Sequence, residues 1–418
     1  MNLFRILLLV DSLPNPLDQD PLYRHVNLFV FRPMSELAWD HRVDWPLLVP
    51  RFPGLVKLFY RWRGREIHFP DAVVDKMGGI NNFKVSYNFL PRIYPVQKTR
   101  ALLKTLRQRR LDYDLIHCHT VFDLGLAGLE LRKVFGWPLV VTVYGTDVNW
   151  LFEEAQRRAS PEIAEATRRV LNEADRVICV SRDLAGKVHL LGTPKEKIHW
   201  IPNGVDTNLF TPGDLQQERK KLGWPETKKV VLFVGNVIET KGVGDLVEAV
   251  SEIEKGRNRV PDYLVIIAGL GGEYERKLRD SVSQRRLESK IRFLGPQPYD
   301  KVHTLMRACD ILCLPSWREG WPLVLVEAMA CGQPVVAART GGIPEIVTGP
   351  ELGILCEPRN PPDLADALTR ALDQQWDSEL LVAHANNYSY DKIVSQIESI
   401  YQKVLEEKGT FKERFNRV

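Results

Sequence analysis

Short apolar runs recur along this chain, each followed by a stretch with helical spacing, and the series occurs twice. Runs of Val, Ile and Leu without polar alternation mark strands covered on both faces, as in a parallel sheet flanked by helices. In the first half the predicted strands are 4–10, 115–118, 139–143, 177–180 and 198–201. In the second they are 230–234, 264–268, 291–294, 311–314, 334–337 and 354–356. Alternating strand and helix build an α/β layer that binds ligands at the carboxyl ends of its strands. Because 418 residues exceed what one core organises, two doubly wound Rossmann-like domains are expected. The turn-rich Ile201-Pro-Asn-Gly-Val-Asp206 divides them into 1–205 and a second domain from 206.

Between residues 51 and 94 the pattern breaks down. Aromatics, prolines and basic residues crowd there without a clean period, which reads as an irregular insertion. Residues 1–10 are apolar, but Arg5 interrupts them and Asp11 follows, so a buried first strand is expected rather than a leader peptide. No apolar run approaches the ~20 residues that span a bilayer. Cys118, Cys179, Cys309, Cys313, Cys331 and Cys356 are scattered without metal-ligand spacing and read as core residues of a reducing, cytoplasmic compartment. A net charge of +4 singles out no polyanionic partner, and no nucleic-acid reader motif is present.

The densest chemistry follows the strand at 311–314, in Ser316-Trp-Arg318-Glu319-Gly320-Trp321-Pro322-Leu323-Val324-Leu-Val-Glu327. Pro322 stands where the first helical position is expected. The free amides of such a helix start, at Trp321, Leu323 and Val324, and the positive end of its dipole suit an anion. Glu319 and Glu327 bracket that seat, and a carboxylate accepts two hydroxyl hydrogen bonds at once, as a vicinal diol offers.

Glu319 and Glu327, with seven residues between, resemble the signature of the retaining GT-B glycosyltransferases of family 4. Further segments resemble that family in the same order: Ile201–Asp206 its linker, Val234-Gly235-Asn236-Val-Ile-Glu-Thr-Lys241-Gly242 its phosphate loop, and Arg292-Phe-Leu294-Gly295 the segment beside the nucleobase. Gly341-Gly-Ile-Pro-Glu345 and Tyr388-Ser-Tyr-Asp391 complete the set. The resemblance implies a GT-B fold, two Rossmann-like domains facing across a cleft, and a 379–418 segment that crosses back to the N-terminal domain. It implies transfer of a sugar, with retention, from a nucleotide-sugar donor to a carbohydrate or lipid-linked acceptor in envelope or extracellular polysaccharide or glycolipid synthesis. Glu327 would then bind the donor ribose, Glu319 the sugar hydroxyls and Lys241 the diphosphate. Gly235, Asn236, Gly320, Trp321, Pro322, Leu323, Val324, Arg318 and Leu294 would line the donor.

Two positions depart from the family. Asn236 replaces an arginine, leaving the diphosphate to Lys241, the helix start and Arg318. Tyr144, in Val141-Thr-Val-Tyr144-Gly-Thr-Asp147, replaces a histidine that faces the reacting sugar, and a phenol is a poor base near neutral pH. His119, at the end of a strand, suits either a ligand contact or a structural hydrogen bond. Asp18/Asp20 and Asp112/Asp114 mimic metal-binding pairs, but they precede a strand or sit in an early loop, so no metal or cofactor is expected. The basic–aromatic stretch 51–65 and the six cations of 98–110 suggest an anionic membrane surface as a further partner, at the inner face of the cell membrane. A non-catalytic nucleotide-sugar-binding protein and a sugar-nucleotide epimerase are the rival readings.

Overall fold

A computed structural model describes residues 4–10, 34, 37–38, 41–50, 76–77, 80–87, 94–153, 160–256 and 260–409. They fall into two compact units, one built from the chain up to Pro202 and again from Ile393 onward, the other from Asn203–Lys392.

The first unit carries a sheet of β1 (Arg5–Leu9), β2 (Arg42–Pro50), β3 (Lys76–Met77), β4 (Ile80–Tyr87), β5 (Leu115–Cys118), β6 (Leu139–Val143), β7 (Arg176–Cys179) and β8 (Ile198–Trp200). Its order is β3-β4-β2-β1-β5-β6-β7-β8, and β3 alone among these strands runs antiparallel to its neighbour. The chain builds outward from β1 through β2 and β4, then restarts at β5 on β1's other side, so the switch point lies between β1 and β5.

Three of these strands, β2, β3 and β4, were not legible as such. β4 falls inside the segment expected to be irregular, yet residues 81–87 pair in register with β2 from Asp44 to Pro50. β2 meets β1 only through Arg42, Val43 and Asp44. Pro46 thus lies beyond that ladder, where a missing N–H costs no strand pairing. The polar character of β4 has a local cause: Asn81 Nδ2 donates to the buried Asp44 carboxylate at 2.9 Å. Tyr113 donates its hydroxyl to the same group at 2.8 Å. The stretch 51–65 lies outside the described residues.

The core of this unit also draws on a helix far along the chain. In the last helix, Tyr390–Glu407, Ile393, Ile397, Ile400 and Val404 share one face by their three- and four-residue spacing and join Ile6 and Leu8 of β1. Buried His117 bridges Tyr401 Oη at 2.5 Å and Thr142 Oγ1 at 2.7 Å. His41 accepts the Phe4 N–H on Nδ1 at 3.2 Å, which leaves its Nε2–H to donate to Glu398 at 2.9 Å. The change of unit comes at Lys392–Ile393, later than the expected 379, and after Pro202 rather than 205. The helix Ser378–Ala385 stays in the second unit, packed on the helix Leu323–Ala330.

The second unit holds β9 (Lys229–Val234), β10 (Tyr263–Ala268), β11 (Ile291–Gly295), β12 (Ile311–Leu314), β13 (Val335–Ala338) and β14 (Gly353–Cys356), all parallel, in the order β11-β10-β9-β12-β13-β14. Its switch point lies between β9 and β12, so the loops after those strands are where a ligand of such a sheet is held. The six cysteines are buried free thiols, as core residues should be.

Candidate active site

At this second switch point three loops converge on Glu319. The loop after β9 turns through Gly235 and Asn236 into a short 3-10 turn, Glu239–Lys241, before the helix Val243–Lys255. Lys241 Nζ lies 2.6 Å from Glu319 Oε1, pairing the expected diphosphate and sugar contacts with each other. The loops are also joined through the backbone, because the Trp317 N–H donates to Thr240 O at 2.9 Å. Gly242 has φ +67°, and a Cβ there would lie 1.9 Å from Pro315 O. From the other side Gly341, after β13, has φ +52°, and its Cβ would lie 1.9 Å from Glu319 O. Only glycine permits both the left-handed backbone and that approach. Trp317 is fixed in turn by donating Nε1–H to Asp245 at 2.6 Å, under the Arg359 guanidinium at 4.2 Å.

The helix that follows begins at Leu323, with Pro322 as its N-cap rather than its first residue. Pro322 has ψ 101°, an extended value, so the helical turn starts one residue later than its fixed φ alone would allow. No side chain caps this end, and the first backbone bond, from the Leu325 N–H to Pro322 O at 3.2 Å, leaves the Leu323 and Val324 amides ahead of it. Gly320 is half-buried, Arg318 exposed and Trp321 buried edge-on to Tyr388. Asn236 is exposed, and the Gly235 N–H donates to Ala268 O at 3.0 Å. Leu294 is half-buried, its carbonyl accepting the Gln297 side-chain amide at 3.2 Å.

Glu327 lies within this helix, buried, and accepts the Tyr299 hydroxyl at 3.0 Å. Burial pushes its carboxyl up to about 7, with the phenol's hydrogen bond pulling the other way. Burial and the adjacent carboxylate raise the Tyr299 phenol in turn. Tyr299 was missed from sequence, since no local pattern links a tyrosine after β11 to an acid 28 residues later.

In the first unit, His119 and Tyr144 come together at the carboxyl ends of β5 and β6. His119 Nδ1 and Tyr144 Oη are 2.6 Å apart, and the His119 N–H donates to Leu9 O at 3.0 Å, beside that unit's switch point. His119 Nε2 is buried and makes no hydrogen bond among the described residues. Burial first, and His117 second, hold His119 well below the ordinary histidine range. Burial drives His117 down to about 3. Burial, then Asp147, raises the Tyr144 phenol well above its usual value. The motif's Asp147 accepts the Tyr144 N–H at 3.2 Å.

Of the acidic pairs considered for a metal, Asp112 and Asp114 bind Arg5 at 3.1 and 3.3 Å, and Asp112 also accepts the Trp137 indole N–H at 3.1 Å. Asp18 and Asp20 lie outside the described residues. In the helix Tyr94–Arg109, Lys98 is buried, whereas Arg100, Lys104, Arg107 and Arg109, with Arg110 beyond it, are exposed. Among the described residues no helix is long and apolar enough to cross a membrane.

Two Rossmann-like units, with paired Lys and Glu at a switch point and a second Glu on the adjoining helix, define a glycosyltransferase of the GT-B class. The family models for Glycosyltransferase Family 4 and for Glycosyl transferases group 1 match residues 55–209 and 214–390. The chain belongs to this glycosyltransferase family, of GT-B fold. It is 33% identical over 328 residues to a D-inositol 3-phosphate glycosyltransferase of Acidothermus cellulolyticus, covering 75% of this chain and 72% of that one. It is 30% identical over 304 residues to an N-acetyl-alpha-D-glucosaminyl L-malate synthase of Bacillus anthracis, with 71% and 76% covered. Among solved structures, sucrose-phosphate synthase from Thermosynechococcus elongatus shares the fold with TM-score 0.75 at 21% identity, over 97% of this chain and all 100% of that one. HepE from Anabaena, in complex with UDP and glucose, does so with TM-score 0.70 at 22% identity, over 96% and 100%.

Proposed function

We propose that the chain transfers a sugar from a nucleotide-sugar donor to a carbohydrate or lipid-linked acceptor, with retention and without a metal ion. One observation carries this: the Lys241–Glu319 pair stands at the switch point beside an uncapped helix start that holds Glu327. In this reading Lys241 and the Leu323 and Val324 amides take the diphosphate, Glu319 the hydroxyls of the sugar and Glu327 the ribose. Asn236 supplies a hydrogen bond without charge, and Arg318 a second cation. Gly235, Gly320, Trp321, Pro322 and Leu294 shape the pocket for the rest of the donor.

The first unit's contribution is to orient the reactants. A histidine whose cation burial disfavours is a weak base, and a phenol raised by burial stays protonated, so neither His119 nor Tyr144 takes the acceptor proton readily. The leaving diphosphate does so: the bond from the anomeric carbon to the phosphate oxygen breaks, the acceptor oxygen bonds to the same face, and its proton passes to the departing oxygen. Preorganised donors around the diphosphate stabilise the charge that develops.

The relatives named as glycosyltransferases acting on D-inositol 3-phosphate favour a small polar acceptor among these, and envelope or extracellular polysaccharide or glycolipid synthesis is the proposed setting. The exposed cations Arg100, Lys104, Arg107, Arg109 and Arg110 favour work against an anionic inner membrane face. The test is incubation of the purified chain with UDP-, ADP- and GDP-sugars, with the anomeric configuration of the product read by proton NMR. An inverted product would overturn retention. Asn236 and Tyr144 sustain one second reading, a non-catalytic nucleotide-sugar-binding protein, which tight donor binding without hydrolysis or transfer would favour.

A further inference from the structure

Glu327 is a buried acid whose neighbour is a phenol rather than a cation. Its one hydrogen bond among the described residues comes from Tyr299 to Oε1, and Oε2 receives none. Tyr299 is not a loose surface residue. It opens the helix Tyr299–Ala308, and its ring packs at 5.5 Å and 68° on Phe210, itself fully buried. Asp206 of the chain after β8 and Tyr390 of the last helix also face this phenol. Cys331, at the end of the Glu327 helix, feels both Glu327 and Arg307. Arg307, the cation of this group, is committed to Thr211 O at 2.6 Å and Leu209 O at 3.2 Å. The carboxylate's orientation therefore rests on the phenol.

We propose that Tyr299 is the positioning residue of Glu327, its hydroxyl holding Oε1 so that Oε2 is the open acceptor for a ribose hydroxyl of the donor. This rests on the assignment of Glu327 to the ribose. A chemical consequence follows from burial. With its carboxyl pushed up to about 7, Glu327 is divided between acid and carboxylate near neutral pH. A diol donating two hydroxyl hydrogen bonds favours the carboxylate, so nucleotide binding draws it to that form and releases a proton. The Tyr299 hydrogen bond favours the same form, and removing it raises the carboxyl further.

The experiment is calorimetric titration of the full chain, Tyr299→Phe and Glu327→Ala with UDP, ADP and GDP between pH 6.5 and 9, in two buffers of different ionisation enthalpy. In the parent chain, affinity should weaken as pH falls through about 7, with proton release exceeding that of Glu327→Ala, which corrects for protons on the nucleotide itself. Tyr299→Phe should move the midpoint up by roughly half to one pH unit. It should then bind more weakly than the parent at every pH, with a deficit about three- to tenfold larger at pH 6.5 than at pH 9. A deficit in Tyr299→Phe that is the same at every pH marks a merely structural role and overturns the inference. So does parent-like binding by Tyr299→Phe when Glu327→Ala binds weakly, or proton release no greater in the parent than in Glu327→Ala. If Glu327→Ala binds like the parent, or no nucleotide binds at all, the ribose assignment itself falls.

Discussion

Replacing Glu319 by Gln should tighten nucleoside diphosphate binding while nearly abolishing sugar transfer. The ammonium that is to meet the diphosphate already has a partner, Glu319, at 2.6 Å, with side-chain exposures of 28% for Lys241 and 9% for Glu319. An exposed pair contributes roughly 0.2–1 kcal/mol, and breaking a fully buried one costs about 3–5. This intermediate case is therefore worth about 1 kcal/mol, part of which the diphosphate must displace. Glu319→Gln removes that competition together with the carboxylate's repulsion of the phosphates. A gain of about 1 kcal/mol corresponds to roughly fivefold tighter binding. Turnover with the nucleotide sugar should fall about a hundredfold or more, because the neutral amide accepts the sugar hydroxyls more weakly. Calorimetry with UDP, ADP and GDP at physiological salt, beside a transfer assay, reads both effects. Weaker nucleotide binding in Glu319→Gln, or retained turnover, would refute the assignment of Lys241 and Glu319 to phosphate and sugar.

Activity should persist in excess EDTA, and a complete loss that magnesium restores would show that a cation, rather than Lys241 and the helix start, neutralises the diphosphate. Tyr144→Phe removes the 2.6 Å hydrogen bond to His119 and should lower stability by about 1 kcal/mol in a denaturant titration. Its turnover should stay within about tenfold of the parent if the phenol orients rather than takes a proton; a thousandfold loss would make it essential. Gly341→Ala forces a Cβ against Glu319 O in a left-handed backbone, which costs about 1–2 kcal/mol before the clash is counted. It should lower both the melting temperature and transfer, and an unchanged melting temperature would contradict the geometry of this turn.

The strands that build both switch points were legible because each is a continuous apolar run buried on both faces. Ile311–Leu314 is an example in which every residue is buried. β2 and β4 were not, because their polar residues and prolines answer to tertiary conditions: Asp44 gathers Arg42, Asn81 and Tyr113, and Pro46 sits past the end of a ladder. At the site, the spacing of Glu319 and Glu327 and the phosphate loop were visible as motifs, but the contacts that govern them were not. Lys241 and Glu319 are 78 residues apart, and the pairing follows from the adjacency of β9 and β12. Tyr299 reaches Glu327 because its helix packs on the helix that carries the acid. Period and propensity carry no record of such adjacency.

The last helix places Ile393, Ile397, Ile400, Tyr401 and Val404 in the same hydrophobic core as β1. During synthesis, the stretch between Asn203 and Lys392 is thus complete and free to fold while the earlier-made half still lacks one wall. That half exposes apolar surface until the ribosome has delivered the helix Tyr390–Glu407. Nascent protein stalled before residue 393 should therefore be the species that chaperones hold and proteases find.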